Sequence, residues 1–433
     1  MKREKYNINI ITLGCSKNLV DSETLMKQFD ANHFNVSHNG DIDSSDTILI
    51  NTCGFINDAK EESINTILDC IDAKNEGLVK SVYVFGCLSQ RYRDELLNEM
   101  PEVDGFFGVD SFKEILSELS GQFKKELIGE RILTTPKHFA YLKIAEGCNW
   151  GCSYCAIPLI RGKFVSVPIE ELVEQAKKLV QLGVKEILLI AQDLTYYGLD
   201  IYNKRELARL LENLAQIEGL EWIKLHYAYP AHFPMDVLDV MNKYSNICKY
   251  LDIPFQHINT GVLQNMRRGI TSDETKELIN KIKEEVPGIT LRTTLLVGHP
   301  GETEDAFNEL LEFVKETKFD RLGVFTYSEE EDTWGAKNFD DSIPQEVKQE
   351  RADLIMEMQQ DISLNKNQEK IGKEFKVVID RIEDGHFIGR TEYDSPEVDN
   401  EVLIKADSDL QIGNFYTVTI TDADHFDLHA ELV

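Results

Sequence analysis

No apolar run in these 433 residues approaches the roughly 20 that a membrane-crossing helix needs, so no membrane span is expected. The N-terminus does not read as a cleaved leader either. MKREKYNINIITLGC puts basic residues ahead of apolar ones, but the apolar part is short and alternates with Asn and Thr. No small-residue cleavage site follows it. It reads as a first strand, and the chain as cytoplasmic. Positive charge is scarce: 46 Lys and Arg stand against 76 Asp and Glu, a net charge of −30. So acidic a surface repels phosphate backbones unless its cations cluster, and it attracts basic partners. The same charge also serves plain solubility. Low-complexity segments are absent, and an apolar fraction of 42% is that of an ordinary folded protein.

A chain this long exceeds what one hydrophobic core usually serves, so two to three domains are expected. In the first third, strand patterns at 7–13, 47–50, 81–85 and 105–109 alternate with helical ones at 22–29, 59–73, 91–100 and 111–119. This alternation marks an α/β fold with a doubly wound, flavodoxin-like parallel sheet. After a boundary near 127–136 a second series begins. Its strands are expected at 139–144, 185–191, 222–228, 249–253, 289–297 and 321–327, with helices at 169–182, 204–217, 234–244, 272–285 and 304–317. Six units suggest a partial (β/α)6 barrel with a lateral opening. A charged helix at 344–368 leads to a β-rich tail with hairpin signals at Asp384-Gly385 and Gly413-Asn414, expected to be a small antiparallel β-barrel. From residue 372 onward, fifteen acidic residues outnumber five basic ones, a net charge of −10. The expected domains are 1–130, 136–368 and 369–433.

Eight cysteines in a cytosolic-looking chain of this length argue against a disulfide framework. Cys70, in an apolar helical pattern, and Cys248, beside a strand, read as small buried side chains. The other six sit in glycine-flanked loops. Cys15, Cys53 and Cys87 each follow a predicted strand closely. All carboxyl ends of a parallel sheet share one edge, so three thiols from three strands should converge there. The adjoining Gly14, Gly54 and Gly86 leave room for a bulky inorganic ligand. The second group, Cys148, Cys152 and Cys155, has C-x3-C-x2-C spacing on one loop. Such a loop can hold three irons of a cubane and leave the fourth open to an exogenous ligand. Structural zinc is the alternative; it normally takes four protein ligands, and no fourth is obvious nearby.

The segment Gly147-Cys148-Asn149-Trp150-Gly151-Cys152-Ser153-Tyr154-Cys155, at the first strand of a six-unit barrel, resembles the radical S-adenosylmethionine superfamily. Thr12-Leu13-Gly14-Cys15-Ser16-Lys17-Asn18, Asp21-Ser22-Glu23, Asn51-Thr52-Cys53, Gly86-Cys87 and Gly298-His299-Pro300-Gly301-Glu302-Thr303 resemble the methylthiotransferases of that superfamily. The tail is similar to a TRAM domain. The resemblance spans essentially the whole chain. It implies two 4Fe-4S clusters, an auxiliary one on Cys15, Cys53 and Cys87 and a radical-generating one on Cys148, Cys152 and Cys155, with S-adenosyl-L-methionine as cofactor. It further implies reductive cleavage of that cofactor to a radical that abstracts hydrogen, with sulfur and a methyl group installed together at a C–H bond. An external electron donor is required. Within such a barrel the carboxyl edge would supply the cofactor pocket, and the candidates there are Tyr154, Gln192, Asp193, His226, Gln256, Arg292 and Gly298, with Tyr227 and His257 beside them.

Two branches share this plan. One modifies adenosine in transfer RNA (MiaB type); the other modifies the β-carbon of an aspartate in a small-subunit ribosomal protein, S-twelve (RimO type). Lys17, Glu146 in Ala145-Glu146-Gly147-Cys148, and Ala156-Ile157-Pro158-Leu159-Ile160-Arg161-Gly162 resemble the second branch. Charge argues the same way: an acidic tail suits docking of a basic ribosomal protein better than direct binding of nucleic acid. The alternatives are the transfer-RNA activity and a non-catalytic, metal-binding RNA scaffold.

Overall fold

The computed structural model of the chain describes residues 6–406 and 409–433. The first five residues of the expected 1–130 domain, and residues 407 and 408 of the expected 369–433 domain, lie outside the described residues. The chain forms two compact units: Met1–Thr135 with Tyr141–Asn149 and Ala156–Val165, and Pro136–Ala140 with Trp150–Cys155 and Ser166–Val433. The β-rich tail thus clusters with the barrel strands instead of standing apart.

In the first unit five parallel strands lie in the order Asn35–His38, Asn7–Thr12, Thr47–Thr52, Ser81–Gly86, Gly105–Phe106. This is the flavodoxin-like order, in which the first crossover runs one way and the later ones the other. Every residue of the central strand TILINT is buried, as a strand covered on both faces must be. On one face Ile67, Cys70 and Ile71 of helix Asn57–Asn75 pack with Leu88 and Leu96 of helix Cys87–Glu99. On the other, Leu25 and Phe29 of helix Ser16–Ala31 pack with Ile115 and Leu116 of helix Phe112–Glu118.

Three local departures from the sequence pattern have physical causes. Strand Asn35–His38 carried no signal because half of its residues are exposed polar ones at a sheet edge. Helix Ser16–Ala31 starts six residues before the expected 22 because the buried face of its first turns is polar: Lys17, Asn18, Asp21, Ser22 and Glu23 are all buried. Helix Cys87–Glu99 starts at the cysteine itself, where 91 was expected.

A second, open sheet orders six strands sequentially, from Phe139–Lys143 through Glu186–Ile190, Trp222–Leu225, Ile247–Asp252 and Thr290–Val297 to Arg321–Thr326, and the last five of these lie wholly in the second unit. Cys248 lies within the fourth of these, and both it and Cys70 are fully buried, as small apolar side chains would be. Glu374–Glu383, His386–Thr391, Val402–Lys405, Leu428–Leu432 and Phe415–Ala423 close into a barrel. The expected small antiparallel barrel is present, and because a ring of five strands cannot alternate direction throughout, one of its pairs, Val402–Lys405 with Leu428–Leu432, is parallel.

The tail is joined to the barrel strands by buried charge. Glu186 receives Arg390 through Nη1 at 3.1 Å and Nη2 at 2.8 Å, and Lys224 at 2.8 Å. Burial alone would raise the Glu186 carboxyl, but Arg390 and Lys224 together hold it down at about 2. Arg321 pairs with Asp394, and Tyr250 donates to Asp399 at 2.7 Å. Among the described residues, no helix is long and apolar enough to cross a membrane.

Candidate functional site

Cys15, Cys53 and Cys87 belong to the first unit and follow three neighbouring strands of its sheet. Backbone geometry makes room for them. Gly14 has φ +87°, and a Cβ there would sit 2.7 Å from Cβ of Cys53; a Cβ on Gly54 would meet the backbone nitrogen of Leu88 at 2.8 Å. Ser63 Oγ ties both ends of the Cys53 peptide, accepting from its N–H at 3.0 Å and donating to its carbonyl at 2.9 Å. Asn18 stitches two of the cysteine loops together, donating to the carbonyls of Leu13 at 2.8 Å and Thr52 at 3.1 Å. Cys15 is exposed, whereas Cys53 and Cys87 are buried. Burial pushes the Cys87 thiol up to about 12 even with Arg161 beside it, and both Cys15 and Cys53 add like-charge repulsion. Burial likewise raises Cys53, with Cys15 adding to the rise. Among the described residues no three of His, Cys, Asp or Glu converge as they would on a single metal ion.

Around Cys87 lies a buried charge cluster. Arg161 Nη2 approaches Cys87 Sγ at 3.4 Å and donates to Asn18 Oδ1 at 2.5 Å. Its Nη1 donates to Asp21 Oδ2 at 2.9 Å and Glu146 Oε2 at 3.0 Å. Lys143 pairs with the same two carboxylates. Glu146, singled out in the sequence for its type alone, thus helps to hold Arg161, which stands at the end of the short helix Ile157–Arg161. The sequence reading gave Arg161 no role, because a buried arginine in a polar loop leaves no periodic signal.

The C-x3-C-x2-C loop divides between the units, Cys148 with the first, Cys152 and Cys155 with the second. Cys148 N–H donates to the Gly162 carbonyl at 3.1 Å. In the second unit Trp150 stacks on Tyr229, centroids 4.1 Å apart, and donates its indole N–H to Asp193 at 2.7 Å. Asp193 also accepts from Thr195 and from the Tyr229 backbone, while burial raises its carboxyl. Cys152 Sγ lies 3.6 Å from the Tyr229 hydroxyl and 3.5 Å from Arg268 Nη1. Ser153 is held on every side: its N–H by the Met266 carbonyl, its carbonyl by Gly335 N–H, and its hydroxyl by His299 Nε2.

The expected pocket residues divide into two groups. Tyr154 and Asp193 stand at the cysteine loop, Tyr154 with its hydroxyl 3.4 Å from Arg268 and its ring edge-on to His299. Gln192 lies two residues beyond the end of strand Glu186–Ile190, beside Asp193. Gln256, at φ +72°, bridges to the next strand through Thr294 and Leu296. Gly298, at φ +76°, packs where a Cβ would meet Lys348 at 2.3 Å, and its N–H donates to Glu302. His226 pairs with Ser395 of the tail at 2.9 Å, and Arg292 pairs with Asp252 of the neighbouring strand at 3.2 Å and with Asp399 of the tail at 3.4 Å. Tyr229, Arg268 and His299 are the loop's supports that sequence reasoning missed, although His299 lay inside a motif it quoted.

The chain matches the family model of the Radical SAM superfamily over residues 142–314, that of Uncharacterized protein family UPF0004 over 7–108, and that of the TRAM domain over 371–433. It is 57% identical to the ribosomal protein uS12 methylthiotransferase RimO of Phocaeicola vulgatus, with 100% of each chain covered. The proteins of the same name from Cytophaga hutchinsonii and Bacteroides fragilis are 57% identical, over 99% of this chain and 98% of the relative, and 56% identical over 100% of both. The chain belongs to the RimO methylthiotransferase family. Membership makes it a radical S-adenosylmethionine enzyme, and that chemistry entails S-adenosylmethionine and a 4Fe-4S cluster. Among solved structures, the radical S-adenosylmethionine methyltransferase TsrM of Kitasatospora setae matches with a TM-score of 0.53 at 13% identity, covering 74% of this chain and 72% of that one. OxsB matches with a TM-score of 0.52 at 15% identity, covering 82% and 56%. At such identities these two speak to the fold alone. The RimO family assignment agrees with the branch that Lys17, Glu146 and the 156–162 segment resembled.

Proposed function

We propose that this chain adds a methylthio group to the β-carbon of an aspartate in ribosomal protein uS12, using two 4Fe-4S clusters held by Cys15, Cys53 and Cys87 and by Cys148, Cys152 and Cys155. The single observation that carries the two-cluster reading is the cradle in the first unit, where glycines pack against the cysteines from three strand ends. Soft thiolates in threes fit a cubane with one open iron. Cys148, Cys152 and Cys155 would hold such a cluster, which would supply the electron for reductive cleavage of S-adenosylmethionine to a hydrogen-abstracting radical.

The chain's own part is to hold and shield. Ser153, pinned by Met266, Gly335 and His299, keeps Cys152 and Cys155 on a rigid loop, and Trp150 is clamped between Tyr229 and Asp193. Arg268 directs a donor at the Cys152 sulfur, where it would stabilise the thiolate. Tyr154, Gln192, Asp193, Gln256 and Gly298 would line the cofactor pocket at the carboxyl edge. An external protein would donate the electrons. Two findings support the substrate: relatives aligned over the full chain bear that name, and the acidic surface suits a basic ribosomal protein in the cytoplasm.

Mass spectrometry of uS12 from cells with and without the gene tests the reading. The aspartate should lose its methylthio mass without the gene. Loss of adenosine methylthiolation with the aspartate still modified would assign the transfer-RNA activity instead. Cys148→Ala should abolish 5′-deoxyadenosine formation, whereas Cys53→Ala should retain part of it and stop sulfur transfer.

A further inference from the structure

The geometry points to Arg161 as a positioning residue that tunes the auxiliary centre by donating a hydrogen bond to the Cys87 sulfur. This rests on the reading of Cys15, Cys53 and Cys87 as cluster ligands. Arg161 is buried, its Nη2 lies 3.4 Å from Cys87 Sγ, and nothing else charged and positive is placed on that sulfur by a described hydrogen bond. Four anchors fix the guanidinium: Asn18 on the Nη2 side, Asp21 and Glu146 on Nη1, and Lys143 bracing the two carboxylates from behind. A planar fork with donors on two sides can satisfy a thiolate and two carboxylates at once; a lysine ammonium cannot reproduce that spread. Burying Arg161 and Asp21 is costly, and the half-buried Lys143 and Glu146 complete a charge-balanced cluster that holds the geometry.

The consequence for chemistry has a definite sign. One-electron reduction, with an added titrant as the electron source, adds one negative charge to the centre and breaks no bond. A donor on a ligand sulfur stabilises that added charge and raises the reduction potential. Asp21 and Glu146 offset part of the guanidinium charge but leave its directed N–H on the sulfur. Arg161 would thereby keep the auxiliary centre easier to reduce than a bare cubane at this position, without touching the radical-generating loop's own ligands.

The test uses the full chain with Cys148, Cys152 and Cys155 all changed to Ala, reconstituted anaerobically, so that only the auxiliary centre remains. Iron content and the midpoint potential, followed by electron paramagnetic resonance, are read for Arg161, Arg161→Lys and Arg161→Met versions. A negative shift is expected in Arg161→Met and a smaller one of the same sign in Arg161→Lys, which keeps the charge and loses the fork. Equal potentials in all three, with a cubane's worth of iron bound, overturn the role of Arg161. Failure of the Arg161 version itself to take up iron overturns instead the reading of the three cysteines as ligands.

Discussion

Ser153 donates its hydroxyl proton to Nε2 of His299 across 3.0 Å, and that pairing sets the state of the histidine. Nδ1 of His299 faces the Pro300 carbonyl at 3.0 Å and must carry the proton, leaving Nε2 as the acceptor. The loop between Cys152 and Cys155 is therefore anchored to the Gly298–Thr303 motif by a neutral imidazole.

That neutrality has a pH signature. Burial pushes His299 down from 6.5 to about 4, with the Pro300 bond opposing. The unfolded chain takes up a proton on this residue near pH 6.5, the folded chain only near 4, so the contribution is complete above 6.5 and lost as pH falls towards 4. The loss amounts to roughly 3 kcal/mol. Urea unfolding of the cluster-free protein across that window should show a shallower pH slope for His299→Gln than for the unaltered chain. Superimposable slopes would mean that the histidine is not held neutral.

Removing one member of the buried tail network should be severe. Arg390→Ala leaves Glu186 and Asp380 buried with lost partners, a cost of about 3–5 kcal/mol. Thermal unfolding should drop accordingly. Because Glu186 is held at about 2, its share of stability is present above its ordinary value of 4.5 and fades only as pH falls towards 2. A melting temperature unchanged in Arg390→Ala would refute the network's importance.

Gly14→Ala should act at the proposed site of Cys15, Cys53 and Cys87. The new Cβ would stand 2.7 Å from Cβ of Cys53 on a backbone at φ +87°, costing more than about 1 kcal/mol. Reconstituted iron content should fall by half while reductive cleavage of S-adenosylmethionine persists. Full iron loading would remove the steric case for the cradle.

Asp193→Ala should loosen the radical loop. The indole N–H of Trp150 and the backbone N–H groups of Thr195 and Tyr229 would lose their acceptor, at about 1–3 kcal/mol for each group left unpaired and buried. Weaker S-adenosylmethionine binding, measured by equilibrium dialysis, is the expected result, and unaltered affinity would count against a supporting role.

The flavodoxin-like sheet and the partial barrel were legible because buried strands and amphipathic helices leave apolar periodicity in the chain. Departures came where burial is polar. The first turns of helix Ser16–Ala31 hide Lys17, Asn18 and Asp21 inside, so hydrophobic patterning could not see them, and these turns serve the cysteine site. His226 directly follows strand Trp222–Leu225, but Arg292 is the third residue of Thr290–Val297, at the amino end instead of the expected carboxyl edge, and the tail partners these two find, Ser395 and Asp399, lie far away in sequence.

By itself the sequence determined most of the elements and the places of the cysteines on them, because apolar periodicity locates the strands and Cys15, Cys53 and Cys87 follow three of those closely. Only the tertiary structure decided that Arg161 lies on Cys87, that His299 holds Ser153, and that Arg390 and Asp394 bind the barrel strands to the tail. Those are pairings of single buried polar groups across long chain separations. Their energy comes from directed bonds in a water-poor interior, and no local pattern of residues encodes a direction.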